Sequence, residues 1–142
     1  MLGYRLQADK PVTIVDLRTG EARFTLPGGL TAGNVLVHQN GTQLQWYDMT
    51  TGEQTATADG VDGDLGAVSQ DGSRAVTINL RGVWVVSPES TRFVALPAGR
   101  WEVDALSGDN LFLIRYLGNS GSYQIRLLHV ASINRVKDQT TL

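Results

Sequence analysis

A chain of 142 residues with a formal net charge of −2 is one domain by length, and it lies too near neutrality to offer the concentrated basic surface that a phosphate backbone requires. Hydrophobic residues make up 42% and aromatics 7%, with 16 glycines and no cysteine. That composition suits many short strands joined by tight turns, and it excludes disulfide staples, thiol nucleophiles and thiolate metal ligands.

The opening residues, MLGYRLQADKP, place Arg5 inside their only apolar run and so do not read as a signal peptide; no later run of 18 apolar residues offers a membrane-spanning helix. A first strand is expected over Leu2–Gln7. Val12–Asp16 then carries β-branched Val12, Ile14 and Val15, and Ala22–Leu26 alternates Ala22, Phe24 and Leu26 with Arg23 and Thr25. Between them Asp16 and Thr19 can bond local backbone while Gly20 supplies a positive φ. The stretch reads as strand, turn, strand.

Variants of this pattern fill the rest of the chain. The second unit offers strands at Gly29–Thr31, Val35–Gln39, Leu44–Asp48 and Thr55–Ala58; the third at Leu65–Ser69, Arg74–Asn79, Val83–Ser87 and Phe93–Leu96; the fourth at Val103–Ser107, Leu111–Tyr116, Tyr123–Val130 and about Asn134–Asp138. Turns that begin at Thr31, Ser69 and Ser107 recur every 38 residues, and LGAVSQDG (65–72) aligns with VDALSGDN (103–110). The division is a partial unit at 1–28 and three full units at 29–60, 61–99 and 100–142. Third strands carry apolar residues on both faces: Val12/Ile14, Leu44/Trp46, Val83/Val85 and Ile125/Leu127 on one, Val15, Tyr47, Val86 and Leu128 on the other. A lone antiparallel sheet would leave one face to water, so each sheet is expected to lie between neighbours.

In these turns and strands the chain resembles bacterial β-propellers of the YVTN and quinoprotein-like (WD40-like) superfamily. Asp16-Leu-Arg-Thr19-Gly20 and Asp48-Met-Thr-Thr51-Gly52 match the Asp-x-x-Thr-Gly element of such blades, and Ser69-Gln-Asp71-Gly72 is similar to their Ser-Pro-Asp-Gly turn, with Gln70 in place of Pro. The likeness decays toward the end, where Ser87-Pro-Glu and His129-Val-Ala replace the element. The resemblance implies an all-β fold of about four four-stranded antiparallel blades, three full and one partial. At about 35 residues per unit this implies part of a seven- or eight-bladed ring, cut from a longer chain or completed by a second copy.

Candidate sites are few. Asp59, Asp62 and Asp64 could supply hard oxygen ligands to Ca²⁺, but they lack the closing Glu and the length of an EF-hand loop, and the turn-forming reading is preferred. His38 and His129 stand near no recognisable nucleophile and read as structural or surface residues. Quinoprotein enzymes of similar architecture use a vicinal Cys pair, which this chain cannot provide, so no cofactor is expected. Of the tryptophans, Trp46 reads as core and Trp84 as packing between blades, while Trp101, in a loop feeding a first strand, is the candidate for interaction. Arg115, Arg126 and Arg135 could align into a basic stripe, and ten of the twelve basic residues are arginine, the type suited to carboxylate or phosphate recognition. Residues 1–71 hold four basic and nine acidic side chains (−5), and 72–142 hold eight and five (+3).

The sequence reading is thus a non-catalytic binding or assembly module, engaging a protein partner or a second copy of itself as a ring-completing homodimer, with no nucleic acid and no membrane insertion. The alternatives are a fragment of a propeller-type enzyme whose active site is completed elsewhere, and a Ca²⁺-stabilised structural domain.

Overall fold

A computed structural model of the chain describes residues 10–107, 110–117, 122–132 and 135–140. The strand expected at Leu2–Gln7 and the tip of the turn at Gly108-Asp109 lie outside the described residues. Within them the chain is all-β, with fourteen strands and no helix. Strands β1 (Val12–Val15) and β2 (Ala22–Leu26) pair with each other. Three four-stranded sheets follow: β3 (Leu30–Ala32), β4 (Val35–Asn40), β5 (Gln43–Asp48) and β6 (Gln54–Ala58); β7 (Asp64–Val68), β8 (Ala75–Ile78), β9 (Gly82–Val86) and β10 (Thr91–Ala95); β11 (Glu102–Ser107), β12 (Asn110–Leu117), β13 (Ser122–Ser132) and β14 (Arg135–Thr140). Each is an antiparallel meander whose spatial order equals its chain order. We number the sheets one to four.

The turns explain why the strands end where they do. In the first sheet the Arg18 N–H donates to Asp16 Oδ1 at 2.8 Å, the Gly20 N–H to the Asp16 carbonyl at 2.7 Å and the Asp16 N–H to the Glu21 carbonyl at 2.9 Å. Thirty-two residues on, Thr50, Gly52 and Asp48 make the same three bonds, to Asp48 Oδ1, the Asp48 carbonyl and the Glu53 carbonyl, at 2.8, 2.7 and 2.9 Å. Gly20 and Gly52 take φ of 75° and 79°, a region only glycine enters without strain. The third sheet lacks the motif and closes the equivalent turn between Ser87 and Ser90.

Sheets stack face to face, and their first strands meet: β7 lies against β3 and β4 on one side and β11 on the other. Alternation along β8 and β9 then sends side chains to opposite neighbours. Ala75, Trp84 and Val86 join Val37, Leu44, Trp46, Ala58 and Val61 in a core between the second and third sheets. Val76, Val83 and Val85 join Trp101, Leu111 and Leu113 in a core between the third and fourth. In the third sheet the two-faced apolar pattern therefore has its physical cause in this double coverage.

The two outer faces differ. The face of the first sheet turned away from the stack presents Thr13, Val15, Arg23 and Thr25, all exposed, with a Thr13–Thr25 hydroxyl contact at 3.5 Å. The outward face of the fourth sheet presents Phe112, Ile114 and Ile125, which are half-buried. Phe112 and Ile125 occupy the places of Val76 and Val83, which in the third sheet are buried against the next one. Among the described residues the fourth sheet thus ends on an apolar face, while strand alternation in the first sheet turns two threonines, an arginine and Val15 outward.

Candidate functional site

The expected carboxylate cluster is divided among separate tasks. Asp59 Oδ1 accepts from Gln43 Nε2 at 2.7 Å; Asp62 accepts its neighbour Gly63 N–H on Oδ1 at 2.9 Å and pairs through Oδ2 with the Arg81 guanidinium; Asp64 opens β7, exposed. Among the described residues no three His, Asp or Glu side chains come together as a metal-holding group.

The structure does bring Trp101, Arg115 and Arg126 together. The Arg115 and Arg126 guanidinium carbons stand 4.6 and 5.7 Å from the Trp101 ring centroid, within cation–π reach. The ring is 4% exposed, its Nε1–H donates to the Pro97 carbonyl at 3.1 Å, and it belongs to the core between sheets three and four. The indole is thus a packing anchor that carries two cations at the edge of that core. Arg135, the third member of the expected stripe, pairs with Ser132 in the ladder.

Arg115 Nη1 also donates to the carbonyl of Ala98, and this bond is one of a series. His38 Nδ1 bonds the Gly28 carbonyl at 2.6 Å, and since a carbonyl only accepts, Nδ1 carries the proton. Thr77 Oγ1 donates to the Asp62 carbonyl at 2.7 Å. Positions 38 and 77 are equivalent by register, pairing with Gln45 and Trp84, and Arg115 stands two residues beyond the corresponding place, Leu113; all three lie on the second strand of their sheet and clasp the linker that delivers the first strand. Three dissimilar side chains perform one task, so no sequence alignment of the units would expose it. His38 is accordingly structural.

A cleft of about 300 Å³ opens between the second and third sheets, lined by Val35, Trp46, Thr55, Ala56, Asp71, Gly72, Ser73, Pro88 and Glu89. One wall is β6 and the other the β9–β10 turn. The Ser69–Arg74 turn closes one side: Gly72, at φ 76°, presses on Val35, and its carbonyl accepts the Trp46 Nε1–H at 2.9 Å. In the same turn the Ser73 N–H and hydroxyl and the Ser69 hydroxyl all donate to Asp71 Oδ1, at 3.0, 2.7 and 2.7 Å. Those bonds, the Ser73 N–H foremost, lower the Asp71 pKa from 3.8 to about 2. Asp16 is lowered by the same chemistry, chiefly the Arg18 N–H.

None of the cleft residues was a candidate from sequence. The available signal was a mismatch: Phe24 stands four residues after Gly20, whereas Ala56 stands four after Gly52. No protein-family model matches the chain, and no curated protein matches it.

Proposed function

We propose that the chain is a run of β-propeller blades acting as a non-catalytic binding and assembly module, whose last blade is covered in the working protein by a further blade. The observation that carries this reading is the outward face of the fourth sheet. Phe112, Ile114 and Ile125 stand where an internal sheet puts residues that the next sheet covers, and an apolar face of this kind is stable in water chiefly when capped. The contact of first strands β3, β7 and β11 supports a radial arrangement, in which the first strand of each blade lies nearest the axis. The superfamily resemblance of the Asp-x-x-Thr-Gly turns agrees with it.

A second copy is the covering blade we favour: its first sheet, which turns Val15 outward among threonines and an arginine, would meet the apolar face of the fourth, giving a homodimeric ring of about eight blades. Light scattering and sedimentation at micromolar concentration test it. The expected result is a dimer that Ile125→Asp converts to monomer. A monodisperse 15.4 kDa species with cooperative unfolding in the unsubstituted chain overturns it.

A further inference from the structure

We propose that the cleft between the second and third sheets receives an arginine side chain presented by a partner protein. This deepens the partner-binding reading given above by naming where and with what chemistry a partner engages, and it does not depend on ring closure.

The shape of the cleft follows from a comparison inside the chain. In the first sheet Phe24 pairs with Ile14, and its ring lies on Gly52 in the turn of the second sheet, so close that a Cβ on Gly52 would stand 3.0 Å from the ring. In the second sheet the equivalent residue, which pairs with Trp46, is Ala56, and it faces the equivalent turn of the third sheet at Pro88 and Glu89. One junction is filled by the protein's own phenyl ring. At the other the ring is absent, the backbone register is the same, and a slot remains for a side chain from outside.

The lining decides which side chain. Val35, Trp46, Ala56 and Pro88 give apolar walls, which suit an aliphatic stem or a flat group. The only charged residues in the lining are Asp71 and Glu89, both acidic, so the occupant is a cation. The three bonds that hold Asp71 in place all fall on Oδ1, and Oδ2 carries none of them. Arginine combines a planar, weakly hydrated cation able to lie on an indole and a proline with a fork of donors for carboxylate oxygens; a lysine ammonium offers the charge without the flat face.

Blocked arginine (N-acetyl-arginine methylamide) titrated into the ¹⁵N-labelled full chain tests the site without any partner. The Trp46 indole N–H signal reports on the cleft, since that group is fixed to the Gly72 carbonyl. We expect a saturable shift of this signal, and a response about tenfold weaker from blocked citrulline, which has the same shape and no charge. Ala56→Phe, which supplies the ring found at the first junction, abolishes the shift, and the exposed Glu89→Gln weakens it with the fold intact. Absence of a shift at about 10 mM blocked arginine, an equal response to citrulline, or an unchanged response in Glu89→Gln overturns the proposal. Because the titration reads a small ligand, a dimer that ignores arginine refutes the site alone, and a monomer that binds it refutes the ring alone.

Discussion

Replacing Gly72 by Ala tests the docking of one sheet's turn on its neighbour. Gly72 has φ 76°, and a Cβ built there stands 2.6 Å from both Cβ and Cγ2 of Val35, across the junction of sheets two and three. Two costs follow. Holding alanine in the left-handed region costs about 1–2 kcal/mol, and forcing a methyl into occupied space costs about 1–3 kcal/mol more. The turn cannot simply swing away, because the Gly72 carbonyl is tied to the Trp46 indole at 2.9 Å. Gly41→Ala is the control: its φ is 62°, and a Cβ there meets nothing within 4 Å, so it carries the conformational cost alone. Urea titration should show Gly72→Ala less stable than Gly41→Ala by the steric part, about 1–3 kcal/mol, at unchanged m-value. Adding Val35→Ala should restore part of the loss and not all, since the Val35 Cβ remains at 2.6 Å. Equal destabilisation by Gly72→Ala and Gly41→Ala would refute the argument, because it would mean that the turn does not bear on the second sheet.

Three further outcomes are expected. Val85→Asp puts a carboxylate without a partner into the core between sheets three and four and should unfold the chain, while Arg81→Ala, which removes an exposed pair with Asp62 worth about 0–1 kcal/mol, should scarcely move the denaturation midpoint. Thr77→Val keeps the shape of a fully buried side chain but strips the Asp62 carbonyl of its donor, and calorimetry should register a loss of about 1–3 kcal/mol. Acid titration should expose Asp71: its folded pKa, about 2, lies below the ordinary 3.8, so its contribution is present above 3.8 and fades as pH falls from there toward 2. Asp71→Asn should flatten that part of the stability curve, and an unchanged acid limb would count against the Ser69–Asp71–Ser73 network.

The sequence by itself determined the units and their internal order. Hydrophobic alternation at a period of two, broken by Asp-x-x-Thr-Gly and Ser-Gln-Asp-Gly, is local information: each turn is built from bonds between residues two to five apart, such as Arg18 N–H to Asp16 and Arg74 N–H to Ser69 Oγ at 3.0 Å. The apolar residues on both faces of Val83–Val86 likewise announced coverage on both sides before any neighbour was known. Trp46 could be assigned to the core for the same reason.

Only the tertiary structure decided what lies between the units. The clasps of His38, Thr77 and Arg115 on the linkers were invisible, because a carbonyl accepts equally from an imidazole, a hydroxyl or a guanidinium, and sequence similarity does not register that equivalence. Trp101, placed by sequence in a loop, became a buried anchor once Arg115 and Arg126 of the adjacent strands closed over it. The three aspartates at 59, 62 and 64 were near in sequence, but hydrogen bonds to Gln43 and Arg81, 16 and 19 residues away, assigned Asp59 and Asp62 to other tasks. The cleft has the same origin: an alanine at position 56 is unremarkable in a strand, and it becomes a cavity only because the turn of the next sheet stands where a phenyl ring would have reached it.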